Sequence, residues 1–123
     1  IPGAACDMEL ADIWPAAPRR YDIITANPPY IATEEIAGLM PEVSLYEPAS
    51  ALDGGRDGLD FYRRLAAEAG SFLADGGVLF IEIGAGQEEE VVRLFSDRGA
   101  WSGFGQRKDL AGHTRMLAFQ TIW

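Results

Sequence analysis

The run Tyr21 to Tyr30, YDIITANPPY, constrains the fold more than any other stretch of the chain. Ile23, Ile24 and Thr25 are β-branched, and Tyr21 to Ala26 reads as a strand. Pro28 and Pro29 fix φ and carry no N–H donor, so no ladder continues through them. Asn27 precedes a proline, and its backbone is therefore pushed toward an extended conformation. A strand thus ends on a side-chain amide, two rigid residues and the ring of Tyr30.

The rest of the pattern alternates. Cys6 to Ala11 reads as a further strand, and Asn27 to Gly58 as a loop-rich stretch with one helical turn near Glu34 to Met40. Asp57 is placed to cap a helix from Leu59 to about Leu73, whose apolar stripe is Leu59, Tyr62, Ala66, Ala69 and Phe72 or Leu73. Ala74-Asp75-Gly76-Gly77 reads as a turn, and Val78 to Ile83 as a strand buried on both faces. A helix from Gln87 to Arg98 follows, with Val91, Leu94 and Phe95 inward and Gly99 as its stop. Trp101 to Lys108 and Met116 to Ile122 are strands joined through Asp109 to Gly112. No helix separates these two, so they should pair antiparallel, whereas the earlier strands should be parallel. The expected architecture is an α/β sheet closed by an antiparallel hairpin.

Composition narrows the function. The 123 residues suit one domain, and 48% are apolar, which is enough for a core. No apolar run reaches the ~20 residues of a membrane span. Cys6 is the single cysteine, so a reducing cytoplasm is the expected compartment. Cys6 and His113 cannot together make a zinc site, and no metal is expected. Glu88-Glu89-Glu90 fall in a first helical turn, where the dipole favours acids, rather than in a metal centre. A net charge of −9 argues against direct nucleic-acid binding, which draws on clustered Lys and Arg.

Two motifs compete as a ligand site. Ile81 to Gln87, IEIGAGQ, imitates a nucleotide loop, but Glu89 stands where the third glycine would be, and a plain strand-to-helix turn is the better reading. Asn27-Pro28-Pro29-Tyr30 lies where an open α/β sheet binds ligands, at the carboxyl end of a parallel strand. Its acceptors and the Tyr30 wall would suit a planar NH₂ group. The rival reading is a rigid loop that only ends a strand.

Asn27-Pro28-Pro29-Tyr30-Ile31 is followed by Tyr46-Glu47-Pro48, Ala51-Leu52-Asp53-Gly54-Gly55 and Asp57-Gly58-Leu59. Leu73 to Gly77, Glu82-Ile83-Gly84 with Gln87, and Asp109 to Arg115 (DLAGHTR) come later. In order and spacing these blocks resemble the HemK-type protein-(glutamine-N5) methyltransferases, which modify peptide chain release factors. The resemblance runs across essentially the whole chain. It implies a Rossmann-like class I methyltransferase fold using S-adenosyl-L-methionine, with a release factor as protein substrate. The family's acidic-Gly-x-Gly-x-Gly loop and its ribose-holding acid are not found in this sequence. Residues 1–123 are therefore expected to be the C-terminal portion of a catalytic domain, without its first two strands and inactive alone.

Carried over by resemblance, Asn27, Pro28 and Tyr30 are the catalytic residues, and with Pro29 they form the substrate-binding set. Asp12, Ile13 and Asn27 are the cofactor-binding set, with Asp12 accepting from the adenine amino group and Ile13 packing on the ring. The other reading of Asp12 is a turn or N-cap residue. Glu47 is read as loop support rather than as catalytic, and His113 as a surface residue. Trp101, Phe104 and Trp123 are read as core or edge residues.

Two other functions stay open from sequence. An adenine-amino (N6) nucleic-acid methyltransferase would share the slot chemistry but needs a basic, aromatic groove. A non-catalytic remnant or interaction module would expose the edge of the Tyr21 to Ala26 strand, which invites self-association.

Overall fold

The computed structural model describes residues 8–17, 19–36, 38 and 49–122. The Tyr46-Glu47-Pro48 block, Cys6 and Trp123 lie outside the described residues, as does part of the strand expected from Cys6 to Ala11. Of that segment, Met8 to Ala11 is irregular and exposed, not strand.

β1 (Tyr21–Ala26) is followed by two short helices, α1 (Thr33–Ile36) and α2 (Ala49–Leu52). Then come α3 (Asp60–Glu68), a 3₁₀ turn (Ala69–Phe72) and β2 (Leu73–Glu82). The chain ends with α4 (Glu88–Ser96), β3 (Trp101–Lys108) and β4 (Thr114–Thr121). Among the described residues the sheet order is β1-β2-β4-β3. β1 and β2 are parallel, and β4 is antiparallel to both β2 and β3. The expected α/β sheet with a closing hairpin is the one observed.

The core lies on one face of this sheet. Leu79 and Ile81 of β2 face Phe119 and Leu117 of β4 across the ladder, and directly opposed residues share a face. Tyr62, Leu65, Ala66 and Ala69 from the α3 region pack on them, together with Val91 and Phe95 of α4. Phe95 stacks on Phe119 with ring centroids 4.0 Å apart, and Trp101 meets Phe95 edge-on at 5.3 Å. The indole N–H of Trp101 donates to the Ala66 carbonyl at 3.0 Å, and the ring is partly buried against the core from the edge strand, within the expected core-or-edge role.

Two expectations are corrected. Val78 to Ile83 is not buried on both faces: Leu79, Ile81 and Ile83 are buried, but Val78, Phe80 and Glu82 are half-buried. Ala74 to Gly77 is not a turn before the strand but lies within β2. Tyr21 pairs with Leu73 and Ile23 with Val78, so the register slips and the intervening residues bulge. Gly76 takes φ +74° there, and the Gln120 side-chain amide donates to its carbonyl at 2.9 Å.

The helix ends follow local chemistry. The Asp57 carboxylate accepts from the Leu59 N–H at 3.0 Å, two residues on, which sets the turn into α3. The expected helix to about Leu73 divides into α3 and the 3₁₀ turn. Gly99 at φ +67° stops α4, as expected. The Asp109 carboxylate accepts from the N–H groups of Ala111 and His113, closing the β3–β4 turn. Among the described residues no helix is long and apolar enough to cross a membrane.

Candidate active site at the tip of β1

β1 ends at Ala26, and Asn27-Pro28-Pro29 project from its carboxyl end between two clefts. The first cleft, about 260 Å³, is lined by Ile13, Trp14, Ile24, Phe61 and Leu65 besides the tip. The second, about 320 Å³, is lined by Tyr30, Ile31, Ala51, Leu52 and Glu82 besides the same tip. Asn27, Pro28 and Pro29 form a wall common to both, and Asn27 is exposed. One cleft is apolar and aromatic, and the other brings a phenol and a carboxylate toward the shared wall.

Tyr30 is held on three sides. Its hydroxyl accepts from Arg115 Nη2 at 3.1 Å, and the Arg115 guanidinium lies 5.9 Å from its ring centroid. Its carbonyl accepts from Gln87 Nε2 at 3.0 Å, while Gln87 Oε1 accepts from the Gly84 N–H at 2.8 Å. Arg115 Nη2 also lies 4.0 Å from the Glu82 carboxylate. The Tyr62 hydroxyl donates to the Glu82 carbonyl at 2.8 Å, and burial pushes the Tyr62 phenol's pKa up. The IEIGAGQ turn is therefore a clamp on the Asn-Pro-Pro-Tyr loop.

The glycine blocks make room for that loop. A β-carbon on Gly54 would come 2.8 Å from the Pro29 carbonyl and from Tyr30 Cα. One on Gly84 would come 2.7 Å from the Tyr30 ring. Ile31 and Gly54 exchange backbone bonds with Leu52 and Ile31 respectively, and Ile31 bridges Asp53 in parallel fashion. The Asp53 carboxylate accepts from the Thr33 hydroxyl at 2.7 Å and from the Gly55 N–H at 2.9 Å. These bonds hold its pKa below the ordinary carboxylate value.

The two residues assigned to the adenine end part company. Ile13 is half-buried and lines the first cleft beside Trp14, which stacks on Phe72 at 4.4 Å. Ile13 has φ +71°, a conformation a β-branched residue rarely adopts. The Trp14 N–H donates to the Asp12 carbonyl at 2.9 Å, so the strained residue is the centre of a γ-turn. Asp12 is turned outward: its carboxylate pairs with Arg64 at 3.0 Å and its side chain is 82% exposed. His113 is an exposed turn residue.

Sequence reading missed Phe61 and Leu65 as cleft residues and Arg115, Gln87 and Glu82 as neighbours of Tyr30. Phe61 and Leu65 sit on a helix whose periodicity signals only packing. The other three stood inside recognised blocks, but spacing along a chain does not show contact across 85 residues.

A mixed α/β sheet, one parallel pair and a closing antiparallel hairpin, with a polar strand tip between two clefts fits the class I methyltransferase arrangement. A solved methyltransferase from Pyrococcus furiosus has this fold, at TM-score 0.50 and 23% identity over 83% of this chain and 41% of its own. A release factor-specific protein-(glutamine-N5) methyltransferase from Alicyclobacillus acidocaldarius matches at TM-score 0.52 and 32% identity, over 83% of this chain and 49% of its own. The release factor glutamine methyltransferase of Geobacter sulfurreducens is 51% identical over 85 residues, 69% of this chain and 30% of its own. That of Agrobacterium fabrum is 46% identical over 101 residues, 82% of this chain and 35% of its own. No family model matches the chain. The chain belongs to the HemK-type protein-(glutamine-N5) methyltransferases as a partial domain. It spans about a third of the length of these two curated relatives.

Proposed function

We propose that this chain is the substrate-amide half of an S-adenosyl-L-methionine-dependent methyltransferase acting on a glutamine side chain of a release factor. The observation that carries the proposal is the shared wall of Asn27, Pro28 and Pro29 between an apolar cleft and a cleft containing Tyr30. Residues 1–123 would be the C-terminal portion of the catalytic domain, working in the cytoplasm. Ile13, Trp14, Ile24, Phe61 and Leu65 offer a flat apolar surface that fits the cofactor's ring end. Asp12, paired with Arg64, is offered less well for the adenine amino group. When bound, the cofactor supplies an electrophilic methyl group.

The chain's own residues would orient the amide. An amide nitrogen is a poor nucleophile, because its lone pair is delocalised into the carbonyl. The Asn27 side-chain carbonyl and the Pro28 backbone carbonyl would accept its two N–H bonds, and the Tyr30 ring would wall the slot. Carbonyl dipoles fixed before reaction stabilise positive charge growing on nitrogen without having to reorganise. Alignment lowers the barrier further. The proton then leaves to water.

The adenine-amino reading is not favoured. The similar proteins are named for release factors, and the net charge of −9 repels a phosphate backbone. We infer that the isolated chain does not turn over, since its sequence has no acidic-Gly-x-Gly-x-Gly run. β1 is an edge strand among the described residues, and Ile23 on it is 62% exposed, which supports self-association through this edge.

Calorimetric titration of the chain with S-adenosylhomocysteine tests the cofactor half, with weak or no binding expected. Micromolar affinity would overturn the inferred inactivity. Methyl transfer to a release factor and to DNA, by a methyltransferase of full family length carrying this chain, tests the substrate half. Transfer to DNA alone would refute the proposal.

A further inference from the structure

We propose that Arg115 and Gln87 are positioning residues that hold Tyr30 against the second cleft, Arg115 through the ring and Gln87 through the carbonyl. The inference rests on the reading of that cleft as the carboxamide slot. A tyrosine side chain has two soft torsions, and a half-buried ring with a free hydroxyl can swing. Here the hydroxyl is tied to Arg115 Nη2 at 3.1 Å, and the guanidinium covers the ring at 5.9 Å from its centroid. A planar, always-charged guanidinium both donates and stacks, which an ammonium does less well.

Arg115 is itself fixed. Its backbone carbonyl accepts from the Ile83 N–H at 2.9 Å, and its Nη2 lies 4.0 Å from the Glu82 carboxylate. β4 thus delivers the guanidinium between the end of β2 and the tip of β1. Gln87 completes the hold, because its amide uses one end on Gly84 and the other on the Tyr30 carbonyl. Neither residue lines the tip, and both act through Tyr30. A glutamine side chain entering the slot would meet a wall whose position two distant segments have set.

The test uses the 123-residue chain with ring-¹³C tyrosine, Tyr30 being assigned among the four tyrosines by Tyr30→Phe. The probe is N-acetylglutamine methylamide, with the norleucine analogue as control, both titrated by NMR. Arg115→Met and Gln87→Met should each bring the Tyr30 ring signals to motionally averaged positions and weaken the probe three- to tenfold. Arg115→Lys should recover part of the loss. In a Tyr30→Phe background, Arg115→Met should cost less probe affinity than in the unaltered chain, because the hydroxyl that Arg115 holds is already gone and only the ring contact remains. The β2–β4 amide signals report whether the sheet survives each change, and Gln87→Met leaves β4 untouched.

Unchanged Tyr30 ring signals in both methionine variants would overturn the proposal. So would an equal loss from Arg115→Met with and without the Tyr30 hydroxyl. If the unaltered chain binds the glutamine probe no better than the norleucine control, the slot reading fails. The ring signals alone then decide whether Arg115 and Gln87 hold Tyr30.

Discussion

A β-carbon placed on Gly58 would lie 2.4 Å from the carbonyl oxygen of Tyr30. Gly58 also takes φ +81°, so the Asp-Gly-Leu turn is shaped to the strand tip and not only to its own chain. Gly58→Ala should therefore cost about 2–4 kcal/mol, the sum of left-handed backbone strain and a backbone clash that cannot relax through a rotamer. Gly86 is the control: its φ is +85°, but a β-carbon there meets nothing within 4 Å. Gly86→Ala should cost about 1–2 kcal/mol, from the backbone term alone. Urea unfolding of the two variants measures the difference.

Asn27 is exposed at the shared wall, so its side chain contributes little to the core. Asn27→Ala should change stability by no more than about 0.5 kcal/mol. In a full-length methyltransferase carrying this chain, it should cut turnover by about 10²–10³, the scale of one preorganised polar contact. Near-normal turnover would remove Asn27 from the proposed slot.

Acid should loosen the loop that carries the glycines. The Thr33 hydroxyl and the Gly55 N–H hold the Asp53 pKa below its ordinary 3.8, and Arg63 does the same for Asp57. Folded values below unfolded ones add stability above pH 3.8, and that contribution fades as pH falls through the lowered values. Asp53→Asn should lower stability at neutral pH and flatten its acid fall. Urea midpoints taken from pH 6 down to pH 2 check this, and an acid limb as steep as that of the unaltered chain would count against it.

Tyr62 is fully buried, and its hydroxyl is bonded to the Glu82 carbonyl at the end of β2. Tyr62→Phe should cost about 1 kcal/mol, the net worth of one hydrogen bond, with the apolar packing retained. Burial raises the Tyr62 pKa, so the cost should be the same across neutral pH. Thermal unfolding at pH 6 and pH 8 measures it.

Trp101 was readable as a core or edge residue, and it is partly buried against the core from the edge strand β3. Gly99 was readable as a helix stop from its position after α4, because that depends on near neighbours. The end of β1 before two prolines and the antiparallel hairpin were legible for the same reason. Asp57, expected as a helix cap, accepts instead from the Leu59 N–H in the turn before α3, which has no side-chain cap. Val78 and Phe80 were misread, since a short apolar run looks the same whether one face or both are covered. Ala74 to Gly77 had turn composition, yet the parallel partner strand drew it into the ladder as a bulge.

The sequence by itself determined where backbone torsions are restricted and where apolar periodicity must face inward, because those are properties of residues and their immediate neighbours. Only the tertiary structure decided that Gln87 and Arg115, 57 and 85 residues away, close on Tyr30, and that Gly54, Gly58 and Gly84 crowd the same tip. Those contacts depend on how β1, β2 and β4 align in one sheet. That alignment is set by packing of all three strands together and is not a property of any one segment.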